Sequence, residues 1–274
     1  MTFKERVDKA LAKNSVCVGL DPDVALMPEV LRSHKNPILT FNCAIIDATI
    51  ENVGAYKPNF AFYEAMGIEG WQTLMDTVKH IRSRSDNVLI IADAKRGDIG
   101  NTSLKYAQAI LYDMDFDCIT VSPYMGFDSV EPFIRNETKG AFVLCLTSNK
   151  GSDDFQRIET GGQKNYEKIA KSVLEWNRLN NCGLVVGATH PGEMKSIRRI
   201  SGNMPYLIPG IGAQGGDLEA VVEANWDGTK VNAYIKSSRG IINASKEKNF
   251  AERAEEETIR LRLAIEGIAA NIKK

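Results

Sequence analysis

Short apolar runs recur along the chain, and each is followed by a longer stretch in which apolar residues recur with a helical period. The runs are nearly continuous in Val, Ile, Leu, Ala and Cys, which is typical of parallel strands buried on both faces. The predicted strands are Val16–Asp21, Ala55–Pro58, Val88–Asp93, Cys118–Ser122, Ala141–Leu146, Gly183–Ala188, Tyr206–Pro209 and Ala233–Lys236. The predicted helices are Pro37–Val53, Gly67–Ser83, Asn101–Tyr112, Val130–Thr138, Tyr166–Leu179, Pro191–Ile200, Asp217–Ala224 and Phe250–Lys273.

Eight alternating strand–helix units predict an α/β fold, a single (β/α)8 TIM barrel with a parallel eight-stranded core. Six units would have fitted a doubly wound sheet better. The length of 274 residues is that of one such barrel. No Pro/Ser-rich linker divides the chain, so we predict one domain over residues 1–274, opening with a short helix at Thr2–Lys13.

One connection, Ser148–Lys164, is unusually long and is rich in Gly, Asp, Lys and Ser. Loops longer than about 12–15 residues are usually functional or disordered. This one follows the carboxyl end of a predicted strand, where barrels build their active sites. We expect a lid at about 148–164; a passive surface insertion is the alternative.

Composition narrows the range of partners and compartments. The formal net charge is -1, with basic residues spread along the chain, so a nucleic-acid partner is not expected. No apolar run approaches the ~20 residues of a membrane span, and the polar start resembles no signal peptide. Five scattered cysteines without a CxxC pair predict reduced core thiols and a cytoplasmic protein.

Polar residues collect where the predicted strands end, and in a barrel these ends meet on one rim. The residues concerned are Asp21, Lys57, Asp93 with Lys95, Ser122, Thr147 to Asn149, Thr189 with His190, Gln214 and Arg239. Taken singly, each has a plain structural interpretation. Asp21 precedes Pro22 and equally suits a turn or helix cap, and Lys57 could be an exposed lysine at a strand end.

The segment Asp93-Ala-Lys95-Arg-Gly-Asp98 is the strongest candidate for chemistry. Side chains two apart on a strand share a face, so Asp93 and Lys95 should project together. Asp98 follows in the next loop, beyond Gly97. Burying two such charges costs several kcal/mol unless they are paired, so a functional interpretation is preferred over a structural ion-pair network.

The glycine-rich segment Pro209-Gly-Ile-Gly-Ala-Gln-Gly-Gly216 is a candidate phosphate site. Its glycines let backbone N–H groups approach an oxyanion, and a helix is predicted to begin near Asp217. Arg239 follows the next strand and could donate a planar pair of hydrogen bonds. Loops after strands seven and eight of such barrels often bind phosphate. A plain tight turn is the alternative for the glycines alone.

Other chemistries find no support in the sequence. Three histidines without ligand-like spacing do not predict a zinc site. The chain has neither G-x-S-x-G nor a GKS/GKT sequence, so neither a hydrolase elbow nor a P-loop is indicated.

At this point the motifs resemble a known family. Asp93-Ala-Lys95-Arg-Gly-Asp98-Ile99 with Thr102 resembles the signature of orotidine 5′-phosphate decarboxylases. The segments at Pro209–Gly216 and Arg239 resemble the phosphate-binding parts of that family. The other matching segments are Gly19-Leu-Asp21, Phe41-Asn42, Lys57-Pro-Asn59, Ala61-Phe-Tyr-Glu64, Leu146-Thr-Ser-Asn149 and Val186-Gly-Ala-Thr189, which look like the longer bacterial branch.

The resemblance implies a homodimer that converts orotidine 5′-monophosphate (OMP) to UMP and CO2, the last step of de novo UMP biosynthesis, without cofactor or metal. It implies that Lys57, Asp93, Lys95 and Asp98 form an alternating charged array. Lys95 would donate the proton to C6 of the pyrimidine. Within a dimer, Asp98, with Ile99 and Thr102, would reach into the partner's site.

The resemblance also implies a division of the substrate among the remaining residues. Asp21 and Lys57 would hold ribose hydroxyls, with Asp98 and Thr102 on the other ribose edge. Ser148 would contact the pyrimidine. Pro209, Gln214 and Arg239 would lie at the phosphate, with Gln214 bridging to the lid. The resemblance also implies a backbone contact to the phosphate from position 238, where this chain has Ser238 and the family pattern has glycine before the arginine.

Two alternatives remain open at this stage. One is a metal-dependent phosphosugar decarboxylase or aldolase of the same barrel suprafamily, such as a 3-keto-gulonate-6-phosphate decarboxylase or a hexulose-phosphate synthase. Those enzymes carry an acidic residue where this chain has Lys57, which argues against them. The other is a non-catalytic phosphate- or nucleotide-binding module, which would not require Lys95 between two carboxylates.

Overall fold

The computed structural model describes residues 1–211 and 215–273. Eight parallel strands close into a barrel in the order β1-β10-β9-β8-β5-β4-β3-β2, which confirms the predicted fold class. The strands are β1 (Val16–Leu20), β2 (Ala55–Pro58), β3 (Leu89–Arg96), β4 (Cys118–Val121), β5 (Gly140–Leu146), β6 (Glu159–Thr160), β7 (Gln163–Lys164), β8 (Cys182–Val186), β9 (Tyr206–Ile208) and β10 (Ala233–Ser237). Of these, β6 and β7 form a separate antiparallel hairpin outside the barrel.

Helices follow the barrel strands as the periodic stretches predicted. They are α1 (Phe3–Lys13), α2 (Pro37–Thr49), α3 (Phe60–Glu64), α4 (Gly67–Arg84), α5 (Gly100–Ala107), α6 (Phe127–Ile134), α7 (Ser152–Phe155), α8 (Asn165–Trp176), α9 (Pro191–Ser201), α10 (Leu218–Asn225), α11 (Arg239–Ile242) and α12 (Phe250–Ile272). Short 3₁₀ turns at Glu29–Leu31 and Ile50–Asn52 and a π-helical turn at Gln108–Asp113 complete the helical segments.

Local sequence explains where the first helices begin. Thr2 and Glu5 form a reciprocal capping box at the start of α1, which satisfies backbone N–H groups that the helix cannot pair internally. Asn36 caps α2, and Pro37 occupies its first turn, where a missing N–H costs nothing. The prediction placed α6 at Val130–Thr138, about one turn too late. The helix starts directly after Gly126, whose φ is 88°.

Helix α1 lies across the amino ends of the strands and fills that end of the barrel. Phe3 of α1 meets Phe142 of β5 edge to face at 6.4 Å, and Phe142 meets Tyr234 of β10 at 6.1 Å. These rings belong to one apolar cluster inside the barrel, and a second, larger cluster lies between the strands and the surrounding helices. The carboxyl ends of the strands are thereby left as the open end.

The long connection after β5 contains more local structure than its composition predicts. It holds α7 and the β6–β7 hairpin, whose turn residues Gly161 and Gly162 both have positive φ, 64° and 75°. Two left-handed residues in succession are what a tight hairpin turn requires. The segment 148–164 therefore folds as a compact helix–hairpin unit.

The cysteines behave as the sequence analysis expected. All five are free, and Cys17, Cys118, Cys145 and Cys182 are buried while Cys43 is half-buried. Burial raises the pKa of each buried thiol, with Cys182 at about 12. These thiols are packing groups of the barrel wall.

Candidate active site

A cavity of about 290 Å³ opens at the carboxyl ends of the barrel strands. Five of the residues to which the resemblance assigns a role line it: Lys57, Asp93, Lys95, Ser148 and Pro209. The other lining residues are Asn59, Thr120, Leu144, Thr147, Asn149, Val185, Leu207 and Lys236. Because the lining comes from most of the barrel strands, residues far apart in sequence meet here.

Asp93 and Lys95 lie together, but not through the regular strand alternation that the sequence suggested. Ala92 to Arg96 of β3 lie opposite only Ile119 to Val121 of β4, so β3 bulges between them. Lys95 sits in this bulge with a φ of 46°, which is uncommon for a residue other than glycine. The bulge brings Lys95 Nζ to 2.6 Å from Asp93 Oδ1. Irregular backbone of this kind commonly re-aims side chains beside active sites.

The Asp93 carboxylate is held from three strands. Lys57, at the end of β2, forms an ion pair with Oδ2 and is almost completely buried. Lys95 and the Thr120 hydroxyl of β4 both donate to Oδ1, Thr120 at 3.2 Å. The Thr120 hydroxyl also accepts the Lys95 backbone N–H at 3.0 Å, which fixes the bulge.

The charges of this array fix its ionisation. Burial opposes the charge of Asp93, but Lys57 and Lys95 outweigh burial and hold the pKa of Asp93 well below its usual value. Burial likewise opposes the charge of Lys57, yet Asp93 and Asp21 hold the pKa of Lys57 above its usual value. Both groups are therefore charged at neutral pH.

Asp21 follows β1 and forms a second ion pair beside this array. Its Oδ2 accepts hydrogen bonds from Lys236 Nζ at 3.0 Å and from the Ser238 hydroxyl at 2.6 Å. Burial raises the pKa of Asp21, but Lys57, Lys236 and these hydrogen bonds bring it below its usual value. Ser238 thus donates its side-chain hydrogen bond to a predicted site residue.

Besides Asp21 and Ser238, four predicted site residues among the described ones lie outside the cavity lining of their own chain. Asp98 is half-exposed and accepts the backbone N–H of Ile99 at 2.8 Å, while Ile99 and Thr102 are exposed at the start of α5. Arg239, the first residue of α11, is also exposed. Gln214 lies outside the residues that the structure describes, as do Gly212 and Ala213 of the glycine-rich segment.

Sequence reasoning missed two polar residues of the cavity, Thr120 and Lys236. Lys236 ends the predicted eighth strand, so the strand-end rule that selected Lys57 applied to it equally. Thr120 carried no such signal, because threonine is common inside strands for its β propensity alone.

Within residues 1–211 and 215–273, no group of three or more His, Cys, Asp or Glu side chains is arranged to hold a metal ion. Over the same ranges no helix combines the length and the apolar character needed to cross a membrane. The charged side chains of the cavity lining are instead joined in ammonium–carboxylate pairs.

Comparison with known proteins agrees with this geometry. Residues 14–254 match the model of the orotidine 5'-phosphate decarboxylase / HUMPS family. An orotidine 5'-phosphate decarboxylase of Dehalococcoides mccartyi is 50% identical over 97% of both chains. The OMP decarboxylase of Leishmania donovani has a TM-score of 0.81 and 35% identity, covering 96% of this chain and 99% of its own. The UMP synthase of the same organism has a TM-score of 0.84 and 36% identity over 96% of this chain. This chain spans only 57% of that synthase. The chain belongs to the orotidine 5′-phosphate decarboxylase / HUMPS family.

Proposed function

We propose that this protein decarboxylates OMP to UMP and CO2, the last step of de novo UMP biosynthesis, as a cytoplasmic homodimer without metal or cofactor. The observation that carries the proposal is the Lys57–Asp93–Lys95 array on the cavity wall. A buried carboxylate between two ammonium groups costs desolvation free energy that a purely structural site would avoid. Its position at the open end of the barrel is where enzymes of this fold bind their substrates.

Lys95 is the group that meets the chemical difficulty of the reaction. Loss of CO2 from C6 leaves a carbanion without an adjacent electron sink. A cation placed at that carbon stabilises the transition state more than the substrate, and its proton then completes the product. Asp93 accepts a hydrogen bond from Lys95 and so holds the Lys95 ammonium at the cavity wall.

Asp93 also repels the substrate carboxylate, and the size of this repulsion can be compared with the whole barrier. At ~4 Å and an effective dielectric constant near 20, it amounts to about 4 kcal/mol. The most demanding enzymes lower barriers by ~20 kcal/mol or more. Repulsion is therefore a minority contribution, and the rest comes from Lys95, preorganisation and substrate-binding free energy.

The remaining predicted residues are assigned along the length of the nucleotide. Ser148 faces the pyrimidine end, and Pro209, Gln214 and Arg239 hold the phosphate. Asp21 and Lys57 hold the ribose. Asp98, Ile99 and Thr102 of each chain serve the partner's site, which fits the position of all three away from the cavity lining of their own chain.

A metal-dependent enzyme of the same suprafamily is the second candidate. The pairing of Lys57 with Asp93 favours the metal-free reaction, because this ammonium already satisfies one oxygen of the carboxylate that a metal would need. A nucleotide-binding module without turnover is the third candidate.

One measurement separates these candidates. We expect the ultraviolet absorbance of OMP to change on addition of the protein, at the same rate with and without EDTA. Loss of the reaction in EDTA would instead favour the metal-dependent enzyme. Unchanged OMP absorbance, together with binding of UMP, would leave the non-catalytic module.

A further inference from the structure

Lys236 lies at the carboxyl end of β10 and lines the same cavity as Lys95. Its ammonium is 3.0 Å from Asp21 Oδ2, and its side chain is only 17% exposed. A lysine buried on a cavity wall is unusual unless it is paired or functional.

The position of Lys236 extends the charged array by one strand. Around the barrel, β10, β1, β2 and β3 are consecutive neighbours. Their carboxyl ends carry Lys236, Asp21, Lys57, and then Asp93 with Lys95, so the sign of the charge alternates from each strand to the next. Lys236 thus gives the row three cations and two anions, an excess that suits a substrate carrying a carboxylate and a phosphate.

The barrel wall makes room for this lysine. A Cβ at Gly19 of β1 would lie 2.4 Å from Lys236 Cε and 2.0 Å from Ser238 Oγ. Both distances are far below van der Waals contact, so any side chain at position 19 would displace the two donors to Asp21. Gly19, Lys236 and Ser238 therefore form one packed unit around this carboxylate.

Hydrogen bonding around Asp21 is incomplete. Its Oδ2 accepts from both Lys236 and Ser238, whereas its Oδ1 is buried and accepts from no group among the described residues. Lys236 makes one hydrogen bond in the described part of the chain, so its ammonium retains further donors. The Asp21 carboxylate can accept a further hydrogen bond, and the neighbouring Lys236 ammonium can donate one. An alcohol hydroxyl fits both groups, because it donates one hydrogen bond and accepts another.

We infer that Lys236 and Asp21 together bind the ribose diol, so that Lys236 is a further substrate-contacting residue that selects ribonucleotides over deoxynucleotides. This rests on the proposed function, because it takes the ligand of the cavity to be a pyrimidine ribonucleotide. One ribose hydroxyl accepts from Lys236 and donates to the Asp21 carboxylate.

The electrostatics of Lys236 support a binding role over a structural one. Burial and the neighbouring Lys57 lower the pKa of Lys236 below its usual value, despite the attraction of Asp21. The surroundings of Lys236 therefore disfavour its charged form, whereas the surroundings of Lys57 favour the charged form of Lys57. Charged groups kept at a cost to stability are typical of binding sites.

The test compares Lys236→Met with the wild type by calorimetric titration of UMP, 2′-deoxy-UMP and 3′-deoxy-UMP. Lys195→Met is the matched control, since that lysine is 58% exposed on α9. We expect Lys236→Met to weaken UMP binding by about 10-fold or more, the loss typical of a hydrogen bond to a charged group. The preference for UMP over at least one deoxy analogue should disappear, and the control should retain both values.

Other outcomes contradict the inference in distinct ways. If the affinities for UMP and both deoxy analogues fall equally, Lys236 acts only through its electrostatic field or through Asp21, and the proposed contact with the ribose is wrong. If UMP affinity and preference are both unchanged, Lys236 has no part in binding. Lys236→Gln, which keeps one donor for Asp21, is judged by the same ratios should the methionine variant fail to fold. A wild type that neither converts OMP nor binds UMP would instead refute the proposed function.

Discussion

Asp93 is the residue on which the largest number of site contacts converge. It pairs with the buried Lys57, with Lys95 and with Thr120, so its carboxylate ties together strands β2, β3 and β4. A residue so placed affects stability as well as chemistry, and substitutions can separate the two roles.

We expect Asp93→Asn to lower the free energy of unfolding by about 3–5 kcal/mol at pH 7, because it removes the carboxylate that is paired with the buried Lys57 ammonium. The folded-state pKa of Asp93 is depressed, so its contribution is complete above the unfolded pKa of about 3.9 and is lost as pH falls through the folded value. Urea unfolding of both proteins at pH 7 and near pH 3 measures this, and the gap should narrow in acid. Asp86→Asn, at an exposed position, is the control. A gap that is the same at both pH values would contradict the assignment.

Substitution of Lys95 should have a large effect on the turnover rate and a small effect on the stability of the fold. Its side chain is 53% exposed, so truncation leaves no buried cavity. We expect Lys95→Ala to lower kcat for OMP by at least ~100-fold, the loss typical of one group aimed at transition-state charge, with little change in Tm. Lys171→Ala on α8 is the control. Near-normal turnover of Lys95→Ala would refute its role as proton donor.

At the scale of elements, Gln156 and Arg157 are among the side chains that hold the helix–hairpin unit at 148–164 on the barrel. Gln156 accepts the Thr147 backbone N–H at 2.7 Å, at the end of β5. Arg157 pairs with Glu193 of α9 at 2.5 Å and with Asp153 at 2.9 Å. Loops held by a few partly exposed contacts belong to the low-stability end of a structure, as a lid must.

We therefore expect Arg157→Ala to speed amide hydrogen exchange across 150–164 by about fivefold, equivalent to ~1 kcal/mol for a partly exposed ion pair. Bound UMP should restore much of the protection, since a lid closes on ligand. The control is Arg135→Ala, which removes the surface ion pair between Arg135 and Glu131 of α6. Exchange that is unaffected by the substitution and by UMP would favour a passive surface insertion.

The sequence predicted the elements that extend over many residues and missed those that depend on tertiary contacts. The eight barrel strands followed from apolar runs, and Lys57 and Asp93 followed from strand ends. Helices α3 and α7, of 5 and 4 residues, are too short for a helical period to be recognised. Nothing in a lysine favours the left-handed backbone of Lys95. The pairing of Lys236 with Asp21 joins residues 215 apart, which no local pattern encodes.

At the scale of the whole molecule, the cavity of one chain is lined by Lys57, Asp93 and Lys95 but not by Asp98, the fourth residue of the predicted charged array. Asp98 lies outside its own cavity, and the next residue, Ile99, is an apolar side chain that is 55% exposed. A homodimer that places Asp98 in the partner's site would explain both observations.

Mixing two inactive variants tests the dimer directly. Subunits of Lys95→Ala and Asp98→Ala that exchange at random form hybrids in which one of two sites has both residues. We expect the mixture to recover about one quarter of the wild-type specific activity, because half of the dimers are hybrids with one intact site each. A mixture that stays inactive after confirmed subunit exchange would place Asp98 in its own chain's site.

The position of α1 also affects the order of events in turnover. Phe3 of α1 packs with Phe142 of β5 and Tyr234 of β10 and closes the amino end of the barrel, so we expect ligands to enter and leave only at the carboxyl end. We expect substrate to enter, and both products to depart, past the helix–hairpin unit at 148–164. Bound UMP would occupy the same end of the barrel that OMP must enter, so product inhibition should be competitive with OMP. At saturating OMP, the turnover rate should follow the rate at which the segment 148–164 opens.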